Sequence, residues 1–289
     1  MDKTDRIIDE KVLIINRVGD QVVVTGVRDK RVKQLFIPSD VTFMHTSAFQ
    51  NCDRLERIEV SSANKKYFSF DGMLFSKTTN CILFIPPNHR SDLYGDVVLP
   101  DSEDYFEICT EFMGNKKISS VTIPSSIIVI YERAFEGCDN LKSIRFNNLR
   151  DICNMSFSCD DELAEPNYFN ADDLYIDGKL VRDLLITNDI KTVSYGVFSG
   201  FKCIESLRID SGVKTIEDKA FLRCSNLKTV TIDSLEIARV EAEIFEKTGV
   251  FENVEILYIK DDLDTVKCVP KYLKKSTSDR KNYAKYIRI

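Results

Sequence analysis

A chain of 289 residues with 43% hydrophobic and 30% charged residues, eleven Gly and seven Pro, is long enough to bury a core and too apolar to be disordered or collagen-like. Two histidines, His45 and His89, cannot supply a multi-histidine metal centre and leave little for histidine catalysis, while a net charge of -6 disfavours nucleic acid as a partner. Nine cysteines, an odd number, and the charged start MDKTDRIIDE favour reduced thiols and give no secretory signal; no run nears the ~20 apolar residues of a membrane span.

The first elements in chain order are two strands, Val12 to Ile15 and Val22 to Val27, joined near Gly19-Asp20; residues 1–31 are expected to form an N-terminal β cap. From residue 32 one motif recurs. Pro38, Val41, Met44, Ala48, Phe49, Cys52, Leu55, Ile58 and Val60 are separated by steps of 3, 3, 4, 1, 3, 3, 3 and 2 residues. The same steps run from Pro124 to Phe146 through Ala134, Phe135 and Cys138, and from Asp210 to Ile232 through Ala220, Phe221 and Cys224. Weaker copies surround Phe112, Phe198 and Phe245, making six.

Phe112 to Phe135 and Phe198 to Phe221 are 23 residues apart, whereas Phe49 to Phe112 and Phe135 to Phe198 are 63 apart, so two copies carry an insertion of 40. The inserts, near 61–100 and 147–186, each hold an Asp-Gly pair (Asp71-Gly72 and Asp177-Gly178) between apolar alternations, which predicts a β-hairpin added to one edge of the array. Within a unit, Leu55, Ile58 and Val60 end in a period of two, predicting a short strand with Ile58 and Val60 inward and Arg57 and Glu59 outward. Ala48, Phe49, Cys52 and Leu55 follow a period of three to four, enough for one or two helical or 3-10 turns. A unit this small cannot bury its own apolar side and must stack on its neighbours, with strands roughly 4.8 Å apart in a parallel sheet.

This pattern resembles the BspA-like leucine-rich repeats, whose signature is similar to Leu-x-x-Ile-x-Ile-Pro-x-x-Val-x-x-Ile-x-x-x-Ala-Phe-x-x-Cys; Val121-Thr122-Ile123-Pro124 through Ala134-Phe135-Glu136-Gly137-Cys138 matches it almost throughout. The resemblance covers about residues 32–259 and implies a leucine-rich-repeat solenoid of short parallel strands and helical or 3-10 turns. Asp210, Thr187 and Asp233 stand in place of the proline, and Asn115, Phe201 and Thr248 in place of the cysteine. For exported relatives it implies adhesion or host contact. Without a leader this chain is expected to be cytoplasmic as it stands, and at the cell surface or secreted if a leader was removed.

Cys52, Cys138 and Cys224 share one motif position and are expected to pack in an interior column. A disulfide between Cys153 and Cys159 is left open. Acidic clusters at Asp101 to Glu107, Asp160 to Glu165 and Asp261 to Asp264 lack the alternating order of a calcium loop and read as solvated. No phosphate-cradling glycine loop, His-Glu-x-x-His or Gly-x-Ser-x-Gly is present, so no catalytic residue, metal or cofactor is expected.

The outward positions of the parallel sheet remain as the candidate binding face. One column holds Arg57, Ser120, Ser143, Ser206, Thr229 and Asn253; a second holds Glu59, Thr122, Arg145, Arg208, Thr231 and Glu255. The expected role is a non-catalytic protein–protein interaction scaffold, with adhesion or carbohydrate and matrix recognition as the alternative. Residues 260–289 form the last segment: from 265 on they hold eight Lys or Arg against one Asp, a net of +7 that leaves about -13 on the rest. They are expected to form a solvated capping helix or a frayed tail, with an anionic contact among Tyr272, Tyr283 and Tyr286 as the rival reading.

Overall fold

The computed structural model describes residues 12–89, 95–99, 101, 106–108, 117–131, 134–158, 168–169, 171–240, 246–250, 252–263 and 266–288. The chain winds into a β-solenoid of about nine turns with few helices. Its front wall consists of three parallel ladders: Gln34–Ile37 with Arg57–Val60; Asp96–Val98, Ser120–Ile123, Ser143–Phe146 and Asp173–Ile176; then Asp183–Ile186, Ser206–Ile209, Thr229–Ile232 and Ile256–Lys260. Alternation along each strand turns Ile58, Val121, Ile144, Leu207 and Val230 into the core, where all are buried. The opposite wall grows from the Val-x-x-Ile part of the motif, as in the ladder of Phe106–Ile108, Ile127–Tyr131 and Ser156–Ser158.

Between the walls, the Ala-Phe segment makes a single tight turn. Thr46–Phe49 is a 3-10 helix, whereas the matching residues 134–137 and 218–223 form hydrogen-bonded turns. Two residues after the phenylalanine the backbone is left-handed in every described copy: Asn51 (φ 63°), Gly137 (75°), Gly200 (87°) and Arg223 (62°). A left-handed residue there ends the helical segment after one turn and sends the chain into the next front strand. The phenylalanines stack from coil to coil, Phe198 on Phe221 with ring centroids 5.1 Å apart and planes 19° apart.

Both Asp-Gly pairs form hairpin turns, with positive φ at Asp71, Gly72, Asp177 and Gly178. Gly72 is required twice over, since a Cβ there would lie 2.7 Å from the Cβ of Arg57. Both hairpins stand at a sheet edge as expected: Tyr67–Phe70 and Met73–Ser76 end the opposite-wall sheet beyond Cys81–Phe84, and Lys179–Leu180 ends the middle ladder. Tyr67–Phe70 and Met73–Ser76 pair antiparallel beside Arg57–Val60, and the middle ladder starts afresh at Asp96. Asp173–Ile176 is itself the last strand of the middle ladder, and its return strand Lys179–Leu180 ends that ladder before the next opens at Asp183. Parallel pairing needs a crossover, so a strand that doubles straight back terminates it. Met73–Ser76 also lies between two cores: Leu74 belongs to the N-terminal cluster with Phe49 and Leu55, and Met73 and Phe75 to the main one.

At the N-terminus, Leu13–Val18 and Gln21–Val27 pair antiparallel, and the second runs parallel to Phe43–Met44. The C-terminal segment is neither helix nor frayed tail. Tyr283–Arg288 pairs antiparallel with Ile256–Lys260 on one side and with Leu273–Ser276 on the other. The aromatic and β-branched side chains of Tyr283, Tyr286 and Ile287 suit a strand, and the unpaired edge of the last front strand supplies the partner.

If Phe135, fully buried in the stack, holds its coil in register, Phe135→Ala costs ~3 to 5 kcal/mol, measured by urea denaturation. A loss under ~1 kcal/mol would contradict this packing.

Candidate binding face

The pairing register fixes two outward rows. The first reads Asp96, Ser120, Ser143 and Asp173 in the middle ladder and Asp183, Ser206, Thr229 and Ile256 in the last. The second reads Val98, Thr122, Arg145 and Tyr175, then Leu185, Arg208, Thr231 and Tyr258. Arg57 and Glu59 occupy the same positions in the first ladder, opposite Gln34 and Phe36, and their side chains form an ion pair. Eight further residues of the two sequence columns thus sit where their spacing put them. Asn253 and Glu255 do not: Ile256 and Tyr258 take those places, because twelve residues separate Phe245 from Leu257 where nine separate Phe221 from Val230.

The rows are not uniformly exposed. Ser120, Ser143 and Thr231 are buried. Ser120 donates through its hydroxyl to Asp96 Oδ1 at 2.6 Å, and Ser206 donates to Asp183 Oδ1 at 2.5 Å, so the first strand of the middle and last ladders supplies an acceptor to the second. Thr231 is covered by the C-terminal hairpin, whose Arg280 Nη1 donates to Thr231 Oγ1 at 3.0 Å.

That hairpin builds a network over the last ladder. Arg208 donates from Nε to Asp233 Oδ2 at 2.8 Å, with Nη2 2.6 Å from the same oxygen, and Tyr283 donates its hydroxyl to Asp233 Oδ1 at 2.7 Å. Asp233 is only 6% exposed, and its carboxylate raises the Arg208 guanidinium above its ordinary value. Beside it, Arg280 lies 4.0 Å over the Tyr258 ring, Tyr258 donates its hydroxyl to Asp279 at 2.7 Å, and Lys285 pairs with Asp279 at 3.1 Å. The Tyr258 hydroxyl, with Lys285 adding to it, holds the Asp279 carboxyl below the usual carboxylate range. Arg288 donates to the carbonyls of Val254 and Glu252 and stacks on Tyr272. Arg280, Lys285 and Arg288 are therefore engaged inside the molecule, while Lys274, Lys275 and Lys281 are exposed.

The middle ladder carries no such cover among the described residues. Arg145 is half-buried with its guanidinium 4.0 Å over the Tyr175 ring, and no described carboxylate pairs with it. Where the first hairpin meets the middle ladder, a groove of about 660 Å³ opens, lined by Phe70 and Asp71 of the hairpin turn, Val98, Leu99 and Thr122 of the ladder, and Asp101. Phe70 and Val98 are 49% and 50% exposed there. The sequence columns missed Phe70 and Val98; the period-two alternation of the hairpin was the available signal for the first.

The thiols behave as interior groups. Cys52, Cys81, Cys138, Cys153, Cys203, Cys224 and Cys268 are buried, and Cys153 is unbridged; Cys159 lies outside the described residues. Burial raises Cys52, Cys203 and Cys224 and pushes Cys153 and Cys268 up to about 12. Cys224 also donates to the carbonyl of Phe198 in the preceding coil at 3.2 Å, a cross-coil link the packing argument did not contain. Asn64, another residue sequence reasoning missed, is buried and donates to the carbonyls of Pro38 and Val41 while accepting from the amides of Lys66 and Tyr67. Among the described residues no three His, Cys, Asp or Glu side chains gather as a metal site, and no helix is long and apolar enough to cross a membrane. The cluster from Asp160 to Glu165 and the Ala-Phe positions at Phe112 and Phe245 fall outside them.

Coils stacked in register with a polar outward face define a repeat solenoid, a scaffold that offers a surface rather than a pocket. The chain belongs to the BspA type leucine-rich repeat family: the family's profile matches six copies over residues 28–93, 97–170 and 177–266. Similar solved structures include a leucine-rich repeat protein from Bacteroides ovatus (19% identity over 80% of this chain and 72% of that one, TM-score 0.42). A leucine rich cell surface protein from Faecalibacterium prausnitzii is 19% identical over 83% of this chain and 52% of that one, with TM-score 0.37. The pneumococcal vaccine antigen PcpA is 17% identical over 80% and 51%, with TM-score 0.37. The chain spans about half the length of these last two. No curated protein matches it.

Two outcomes are expected. A thiol reagent at neutral pH should leave the seven described cysteines unmodified until denaturant is added; fast native labelling of Cys153 or Cys268 would show the coils to be open. In carboxyl NMR titration, Asp279 should titrate below an ordinary aspartate, and Tyr258→Phe should move it upward. Because its folded value is depressed, the contact stabilises above the unfolded value and is lost as pH falls through the folded one.

Proposed function

We propose that the chain is a non-catalytic protein–protein interaction scaffold that meets its partner on the outward rows of the middle ladder. The supporting observation is the contrast between sectors. Over the last ladder the rows are covered or engaged by the chain's own hairpin, through Arg280 on Thr231 and the Asp233 pairing of Arg208 and Tyr283. Over the middle ladder Thr122, Arg145 and Tyr175 stay accessible beside a groove. An arginine already stacked on an aromatic ring loses little rotamer freedom on binding, and Arg and Tyr are the residue types that anchor interfaces.

Adhesion, or recognition of carbohydrate or matrix at a cell surface, is the alternative role for the same rows, and a non-catalytic role accords with what the family typically does.

Proteins captured by the intact chain should be recovered about tenfold less with Arg145→Glu, whose unfolding midpoint should fall only slightly through loss of the stacking on Tyr175. Glu59→Gln in the first ladder should have no effect. Equal recovery by wild type and Arg145→Glu would remove the middle ladder as the contact face, and recovery of glycans in place of proteins would select the adhesion role.

A further inference from the structure

The last sheet ends at Leu273–Ser276, which pairs with Tyr283–Arg288 on one side and, among the described residues, with no strand on the other. The backbone groups on that open side follow from the ladder. Arg288 donates its N–H to the carbonyl of Glu255, and the carbonyl of Asn282 accepts from Asp261, so Asn282, Ala284, Tyr286 and Arg288 turn their backbone groups toward Ile256–Lys260. Lys285 and Ile287 therefore turn the other way and exchange hydrogen bonds with Ser276 and Lys274, the residues opposite them. Alternation then points Leu273 and Lys275 outward. The Leu273 N–H is taken by the carbonyl of Pro270, which agrees with that direction, and the N–H and C=O of Lys275 lie on the open edge.

The side chains around this edge are of one sign. Residues 271–281 hold five Lys or Arg against one Asp. Arg280 is engaged by Thr231 and Tyr258, and the single carboxylate, Asp279, is held by Tyr258 and Lys285. Lys274, Lys275 and Lys281 stay exposed, the first two on opposite faces of the strand. An open edge is a template for another strand, but two copies of this one would set lysines opposite lysines, which disfavours self-pairing.

Beyond the middle-ladder contact, we propose that Leu273–Ser276 accepts an extended segment of a partner protein by strand addition, with two adjacent Asp or Glu residues of that segment set opposite Lys274 and Lys275, one on each face. The backbone of Lys275 supplies the pairing, and the two ammonium groups select acidic sequence. On the front face Ile256, Ile287 and Lys274 lie side by side in one row, so the acidic residue opposite Lys274 prolongs a row that already exists.

The probe is acetyl-Thr-Val-Glu-Glu-Val-Thr-amide, titrated into the full chain while the backbone amides of Lys274 and Lys275 are followed by NMR. The Lys275 amide should shift saturably and exchange more slowly with solvent, whereas exchange at Lys274, already bonded to Ile287, should change little. Affinity should fall about tenfold in Lys274→Gln/Lys275→Gln and should weaken with added salt. Two control peptides separate charge from pairing: one with both glutamates N-methylated keeps the charge and removes the donors, and acetyl-Thr-Val-Lys-Lys-Val-Thr-amide keeps the strand tendency and reverses the charge. Neither should protect the Lys275 amide. The inference is overturned if the glutamate peptide gives no saturable shift, if either control protects Lys275 equally, or if the free chain dimerises with that amide already protected. Arg145→Glu should bind the glutamate peptide as wild type does, so failure of the middle-ladder reading and failure of this one are read separately; a loss of peptide binding in Arg145→Glu would overturn its placement at this edge.

Discussion

The structure depends on one constraint: a coil of about 23 residues has an apolar side that it cannot bury by itself. Ile144 is buried because Val121 and Leu174 flank it in the ladder, and each of those needs its own neighbour in turn. Stability therefore lives in the contacts between coils. The same stacking that hides Ile144 fixes the outward residues in rows, since a strand shifted by one position would exchange its two faces. Face and core are two readings of one register.

What the sequence made legible follows from that constraint. Inward positions repeat because each must fit the same column, so Leu55, Ile58, Phe135 and Cys224 were identifiable from spacing alone, and the Asp-Gly turns announced themselves through backbone chemistry that acts over four residues. Features set by distant partners were not legible. Ser120 is polar and sits on the outer row, yet Asp96, 24 residues earlier, covers it. The three-residue lengthening before Val254 shifted Asn253 and Glu255 off the face, and nothing local distinguishes a loop that absorbs extra residues from one that does not. In the C-terminal segment the charge bias outweighed the aromatic and β-branched residues that suit a strand, because a strand's partner lies elsewhere in the chain while charge is read at a glance.

The charge imbalance takes a different meaning once the contacts are known. A +7 segment on a body of about -13 looks like a tail seeking an external anion. In the fold, Arg208, Arg280, Lys285 and Arg288 meet Asp233, Tyr258, Asp279 and the carbonyls of Glu252 and Val254. Within the segment, Arg280 and Arg288 meet neutral groups of the coil it closes and Lys285 pairs with Asp279, so part of its charge is used in closing the array.

The order of strands at this end sets an order of events. Tyr283–Arg288 lies between Ile256–Lys260 and Leu273–Ser276, although it follows both in the chain. Leu273–Ser276 therefore has no sheet to join until the later strand exists. During synthesis, as the earlier coils stack in sequence from the N-terminus, the edge at Ile256–Lys260 stays open until the last strand emerges and inserts. The covering of Thr231 by Arg280 and the pairing of Asp233 with Tyr283 then arrive together with the strand that occupies the edge of Ile256–Lys260.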